Sequence, residues 1–308
     1  NFLSSENLEI IQIDDFEENN LISKISNVDG IVIRTANLTS RVLSHIKNLK
    51  IVARHGVGYD NVDIDYLNKN NIALAITGKS NAVSVAEHVI TMMLVLSKNI
   101  FASDNLTRSN GFNNKAKLPD FSELYRKKIL ILGFGRIGQA LAQRCLGFEM
   151  DIHVYDPYIN SEIIRLKHCK KTNLKEGFGL ADYISIHLPL NEVTKNLISY
   201  NEFKLFKKNL ILINTARGGI VNEKALYESL LNKSIHAAGL DVFEKEPPEE
   251  NSKLFNLENI LLTPHNSALT IECRKRMAVE SCENISYFLK NHKNLNRDNI
   301  VNLSKIVI

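Results

Sequence analysis

The sequence predicts an α/β protein of two doubly wound parallel-sheet domains, the larger inserted into the smaller. Three observations carry this. Short, wholly apolar runs such as Ile129–Leu132 read as strands buried on both faces, as parallel sheets require. These runs alternate with helical patterns along most of the 308 residues. The length suits about two domains, and a polar stretch at 103–128 separates one series of alternations from the next.

Taken in order, the first series has candidate strands at Glu9–Ile13, Gly30–Arg34, Ile51–Arg54 and Ala73–Ile76, with helical character at Arg41–Ile46 and Ile64–Asn70. The acidic patch at Asp14–Glu18 reads as a solvated face without a function. Ser84-Val85-Ala86-Glu87 has capping-box spacing, so a helix is expected to start there. That helix is apolar nearly all round from Val89 to Leu96 and must be buried on several sides. Residues 103–128, rich in Ser, Asn, Lys and Asp, then form a long excursion. The second series supplies strands at 129–132, 152–155, 183–187, 210–214, 236–241 and 260–263. Six strands joined by helices match a full dinucleotide-binding sheet. Ile271–Lys290 reads as a closing amphipathic helix, with Ala278, Cys282, Ile285 and Leu289 on one face. A last apolar fragment, Ile300–Leu303, is free to return to the first domain. The expected division is 1–97 with 287–308 as the smaller domain, and 98–286 as the larger.

Composition excludes several classes. The chain is 44% hydrophobic and 23% charged, ordinary values for a globular protein. A net charge of +4, without a basic stripe interleaved with aromatics, argues against nucleic acid. The four cysteines lack paired short spacing, so no metal site is expected. Cys145 and Cys282 fall in apolar helical patterns, which suits a reducing compartment. The longest apolar run, near Val89–Leu96, is too short to span a membrane. Glu6 and Glu9 stand where a signal peptide would be basic and then apolar. A cytoplasmic protein is the expectation.

The stretch from Lys128 to Asp156 carries the first chemistry. A predicted strand is followed by Gly133-Phe134-Gly135-Arg136-Ile137-Gly138, a helical run, and a second strand that ends at Asp156. The first glycine allows a tight turn, the second lets a pyrophosphate approach the backbone, and the third lets helix pack on strand. Free N–H groups at the helix start can hold phosphate. Asp156 can accept the hydroxyls of a ribose and would repel a 2′-phosphate, so NAD is expected rather than NADP. The larger domain therefore reads as a Rossmann NAD-binding domain.

Ligands in open parallel sheets bind at the carboxyl ends of strands. Three successive strand ends carry Asn214-Thr215-Ala216-Arg217-Gly218-Gly219, Asp241 to Glu246, and Thr263-Pro264-His265-Asn266-Ser267. An arginine, a carboxylate and a histidine thus converge on one edge, which suits a carboxylate-bearing alcohol. Arg217 can fork a carboxylate, His265 can take up a hydroxyl proton, and Glu246 can hold the imidazole.

These motifs closely resemble the D-isomer-specific 2-hydroxyacid dehydrogenase family. So do Gly56-Val57-Gly58-Tyr59-Asp60-Asn61-Val62-Asp63 and the segment Asn81 to Glu87, and the matches span roughly residues 50 to 275. The resemblance implies a smaller flavodoxin-like substrate domain and catalytic Arg217, Glu246 and His265. It implies cofactor contacts from Gly133, Phe134, Gly135, Arg136, Ile137, Gly138, Asp156, His187, Pro189, Thr194, Thr215, Ala216, Asp241 and Ser267. Substrate contacts are expected from Val57 and Gly58, and from Ser80, Asn81 and Arg217. It further implies a homodimer joined through 84–128 and hinged closure over substrate. Arg34 and Lys79 are expected to read a second anion on the substrate. The pattern looks most like short D-3-phosphoglycerate dehydrogenases, without room for a C-terminal regulatory domain. Sulfolactate, glyoxylate or hydroxypyruvate, and D-lactate are the alternative substrates. A NAD-sensing corepressor-like binding protein is the alternative from another class. The chain departs from the family pattern at Gly78-Lys79-Ser80-Asn81, at Phe112, and at Arg126, where glycine is common.

Overall fold

Most of the apolar runs become parallel strands of two separate sheets in the computed structural model, which describes residues 6–307. The chain divides into two compact units, Asn1–Asn81 with Leu269–Ile308, and Ala82–Ala268.

The smaller unit holds three parallel strands, β1 (Gly30–Ile33), β2 (Ile51–Arg54) and β3 (Ala73–Ile76), in the order β1-β2-β3. Side chains alternate across a strand. Val52 and Leu74 therefore point into one core with Val42, Leu43 and Leu67, while Ile51, Ala53, Ala73 and Ala75 point into another with Ile285 and Ile300. The alanines make room for a helix at close range: a Cβ added to Gly30 would lie 3.0 Å from Ile285 Cδ1. That helix is Ile271–Leu289, which packs on all three strands.

In the larger unit seven parallel strands take the order β10-β9-β8-β7-β4-β5-β6. They are β4 (Lys128–Leu132), β5 (Asp151–Tyr155), β6 (Lys170–Lys171), β7 (Tyr183–Ile186), β8 (Ile211–Asn214), β9 (Ala237–Leu240) and β10 (Ile260–Leu262). Alternate residues of β4 feed opposite faces. Ile129 and Ile131 meet the helices Ala82–Ser97 and Arg136–Gly147, while Leu130 and Leu132 meet Phe178, Phe203 and Phe206. Each such side chain is fully enclosed and contributes roughly 1.5–3 kcal/mol. The order of connection reverses between β4 and β7, and a sheet of this kind binds ligands at that reversal.

Several expectations are corrected. Glu9–Ile13 belongs to no strand among the described residues. The helix expected at Ser84 starts at Ala82, which leaves Ser84 inside it, and Glu87 Oε1 accepts instead from Arg144 Nη2 at 3.0 Å. This helix packs on β8, β9 and the helix Arg136–Gly147, so it lies in the larger unit, with the boundary at 81/82 rather than 97/98. The helix Ile271–Leu289 lies wholly in the smaller unit, which moves the second boundary from 286/287 to 268/269. The two-residue strand β6 was too short and too charged for periodicity to find.

No single helix among the described residues is long and apolar enough to cross a membrane. The four cysteines are free, and no group of three or more metal-ligating side chains occurs among those residues.

Candidate active site

The glycine turn after β4 has the geometry a pyrophosphate needs. Gly133 has φ +92, and a Cβ there would lie 2.7 Å from the His187 carbonyl oxygen. A Cβ on Gly138 would collide with the Gly133 carbonyl, so this residue sets the approach of helix to strand. Gly135 is different: nothing lies within 4 Å of its added Cβ. It precedes the helix Arg136–Gly147 without a side-chain cap, which leaves that helix's first N–H groups for an anion. Asp156 sits beside the turn, where Oδ2 accepts from Phe134 N at 2.8 Å and Oδ1 from Tyr158 N at 2.9 Å. Thr215 Oγ1, at the end of β8, is buried without a hydrogen-bond partner. An unpaired buried hydroxyl calls for a ligand atom. These residues fit a bound NAD.

Arg217, Glu246 and His265 all belong to the larger unit. Asn214 shapes the first of their loops: its Oδ1 accepts from Ala216 N at 3.0 Å and its Nδ2 donates to Arg217 O at 2.9 Å. The Arg217 guanidinium donates from Nη1 to Ala216 O at 2.7 Å. Gly218 presses against the backbone of Phe243 and Glu244, which brings this loop against the loop of Glu246. Glu246 Oε1 accepts from Phe243 N at 3.1 Å, and Oε2 lies 2.7 Å from His265 Nδ1. The carboxylate thereby orients the ring and leaves Nε2 for proton exchange. His265 has φ +51, a left-handed conformation that costs about 1–2 kcal/mol outside glycine.

Asp241 holds that conformation. Its carboxylate is fully buried, and it accepts from Asn266 N at 2.9 Å, Ser267 N at 3.0 Å and Thr263 Oγ1. In this structure the Asp241 side chain therefore braces the histidine loop. Ser267 is buried on the same brace. Thr194 is likewise turned inward, its hydroxyl donating to Pro189 O at 2.6 Å, so it shapes the exposed Pro189 loop. The His187 imidazole meets Ser185 Oγ at 2.9 Å, and burial pushes its pKa down to about 3. Ala216 is half-buried, and Arg136 and Ile137 open the helix after the glycine turn.

In the smaller unit, Val57 and Gly58 are half-buried on the loop after β2, beside the exposed Arg34 segment after β1. Arg34, Thr35 and His55 line a hollow of about 420 Å³ with Ile10, Ile31 and Val32. Burial, and the positive charges of Arg34 and Arg54, hold the His55 imidazole below its ordinary value. Thr77 Oγ1 and Asn81 Oδ1 are buried without partners, so the loop after β3 also has unmet hydrogen-bonding capacity. Ser80 and Lys79 are engaged by a residue of the closing helix. The Ser80 hydroxyl donates to Glu280 Oε2, and the Lys79 N–H points at Glu280 Oε1 at 3.5 Å. Glu280 also accepts from Asn299 Nδ2 at 2.9 Å. The Ser80 proton is therefore committed to Glu280. Lys79 and Ser80 line one hollow and Arg34 another. Reasoning from sequence missed Glu280, since nothing local links it to Ser80. It also passed over His88, whose presence in an otherwise apolar helix is a usable signal: its Nε2 lies 3.1 Å from Thr263 Oγ1.

Residues 90–267 match the NAD-binding domain of the D-isomer-specific 2-hydroxyacid dehydrogenases. The chain is 36% identical to the D-3-phosphoglycerate dehydrogenase of Methanocaldococcus jannaschii over 93% of its own length, but spans only 54% of that protein. It is also 36% identical to the hydroxypyruvate reductase of Thermotoga maritima, over 92% of each chain. Among solved structures, the D-lactate dehydrogenase of Aquifex aeolicus complexed with NAD and lactic acid superposes with a TM-score of 0.85 at 28% identity, over 97% of this chain and 95% of that one. The NAD-dependent formate dehydrogenase of Staphylococcus aureus in complex with NAD gives 0.81 at 31% identity, over 97% and 90%.

Proposed function

Because the chain belongs to the D-isomer-specific 2-hydroxyacid dehydrogenases, we propose that it interconverts a D-2-hydroxy acid and its 2-oxo acid with NAD. When bound, the nicotinamide supplies or takes up the hydride. Arg217 holds the substrate carboxylate in a planar fork, a geometry lysine cannot reproduce. In reduction His265 gives its Nε2 proton to the oxygen that becomes the hydroxyl, and in oxidation it takes that proton back. Glu246 keeps the ring in the tautomer and orientation this requires. Asp156 receives the ribose hydroxyls and disfavours a 2′-phosphate. The contact that carries the reading is His265 Nδ1 to Glu246 Oε2 at 2.7 Å.

The smaller unit we assign to substrate recognition, through the Val57-Gly58 backbone and Asn81. The exposed Ile100, Phe101, Phe112, Phe121 and Tyr125 support the 84–128 segment as a homodimer surface.

Within this reaction class, 3-phosphoglycerate and its oxo acid are the proposed pair. Support comes from Arg34, exposed and ready to fork a phosphate, and from the phosphoglycerate dehydrogenases of similar sequence. Hydroxypyruvate is the second reading, favoured by the match along 92% of the T. maritima reductase. Reduction of 3-phosphohydroxypyruvate and of hydroxypyruvate by wild type and Arg34→Ala separates them. Loss of the phosphate contact should cost roughly 10–100-fold in kcat/KM on the phosphorylated substrate, with hydroxypyruvate nearly unaffected. Equal losses on both substrates would remove Arg34 as the reader of a second anion. No turnover of any 2-oxo acid would overturn the reaction itself.

A further inference from the structure

A second histidine lies beneath the loop that carries His265. His88 projects from the helix Ala82–Ser97, where its neighbours Val85, Ala86 and Val89 are buried, and only 21% of its side chain is exposed. Its Nε2 is 3.1 Å from Thr263 Oγ1 and 3.8 Å from Asp241 Oδ1. Counting protons sets the direction of this chain. A threonine hydroxyl has one proton to donate, and Thr263 directs it at Asp241 Oδ1, 2.5 Å away. The Asp241 carboxylate is acceptor only, with the N–H groups of Asn266 and Ser267 also directed at it. Thr263 Oγ1 is then left to accept, so His88 must carry its proton on Nε2. Burial holds the His88 imidazole below its ordinary value against the opposing pull of Asp241, so the neutral ring does the donating.

We propose that His88 is a positioning residue for His265. His88 Nε2–H, the Thr263 hydroxyl and the Asp241 carboxylate form one directed chain that ends on Asn266 N and Ser267 N. These two peptides follow the left-handed His265 directly. The chain fixes the segment on which the imidazole must be aimed. This rests on the reading of His265 as the proton-transfer group. Without the donor, the Thr263 hydroxyl loses its orientation and the brace on the 263–267 segment loosens. The fold survives while the aim of His265 is lost.

The test uses the full-length protein and two pairs of variants, His88→Leu against His88→Gln, and Thr263→Val against Thr263→Ser. Long-range 1H–15N spectra report the His88 tautomer independently of any turnover. Wild type should give the Nε2–H form, and Thr263→Val should mix the two tautomers. In reduction assays His88→Leu should lower kcat by about tenfold or more, as a misaimed catalytic group does. Its KM for NADH should stay within a factor of about two, its melting temperature should hold, and the deuterium isotope effect from labelled NADH should rise. His88→Gln, which can still donate an N–H to Thr263, should recover most of the loss. Thr263→Val should reproduce the defect that Thr263→Ser avoids, a comparison that holds even where His88→Leu fails to fold. An Nδ1–H tautomer in wild type overturns the proposal whatever the activity. So does a His88→Leu enzyme with wild-type kcat, or a glutamine variant as poor as leucine at unchanged melting temperature. An inactive wild type that still shows the Nε2–H form overturns the proposed reaction and leaves the hydrogen-bond chain supported.

Discussion

Gly218→Ala tests whether the two loops that carry the proposed catalytic groups are held by direct backbone contact. A Cβ at residue 218 would lie 2.5 Å from Glu244 N and closer still to the Phe243 carbonyl group. Ordinary contacts between such atoms begin near about 3.5 Å, so the loops must part by more than about 1 Å. No side chain can rotate aside, because every atom in the way is backbone. One loop carries Arg217; the other carries Glu246, which holds His265. A misplacement of about 1 Å costs on the order of 10²-fold in rate, equivalent to about 2.7 kcal/mol in transition-state stabilisation. Overpacking costs a further ~1–3 kcal/mol in stability, or a fall of several degrees in melting temperature. The assay is steady-state reduction of a 2-oxo acid followed by NADH absorbance, with thermal melts beside it. Wild-type kcat/KM together with a wild-type melting temperature would refute the reasoning, since it would mean that the loops are not in contact at Gly218.

Two other substitutions separate fold from ligand and place a pH effect. Gly135→Ala meets nothing within 4 Å, so the melting temperature should hold. The added methyl occupies the side a pyrophosphate would approach, and NAD affinity by calorimetry should fall by about tenfold or more; unchanged affinity would move the phosphate elsewhere. His187 is half-buried, with its pKa pushed down to about 3 by desolvation, against an unfolded value of about 6.5. The unfolded chain therefore binds the proton first, so the stability from neutral His187 is complete above pH ~6.5 and is lost progressively toward pH ~3. His187→Gln should flatten the fall in urea midpoint between pH ~7.5 and pH ~5; an equal fall in both proteins would place the acid sensitivity elsewhere.

The parts of the site readable in the sequence were those whose physics is local. Three glycines between a buried strand and a helix prescribe a phosphate turn, and strand ends of a parallel sheet bring Arg217, Glu246 and His265 to one edge. The strands themselves were visible because runs such as Ile129–Leu132 are apolar throughout, as burial on both faces demands. What stayed hidden depends on contacts between distant residues. An amphipathic pattern at Ile271–Leu289 announces an apolar face without saying which sheet it covers, so the helix was divided between domains. The contact of Ser80 with Glu280 joins residues that no window contains. Arg126 was visible as a departure but not as a strained one: it has φ +57, the left-handed region that glycine enters without penalty.

The discontinuous smaller unit also sets an order of events during synthesis. Its strands β1 to β3 leave the ribosome before the larger unit, yet the face formed by Ile51, Ala53, Ala73 and Ala75 is covered by Ile285 and Ile300, which are translated after it. The larger unit is a single uninterrupted segment with an apolar core on each side of its sheet. It therefore completes its packing while the earlier strands still show a bare apolar face to solvent. These strands are made before the larger unit and protected after it, the reverse of the usual N-to-C sequence of domain folding. During that interval the nascent chain depends most on whatever shields exposed sheet surface, and a ribosome stalled before residue 271 would release a finished larger unit attached to an unfinished smaller one.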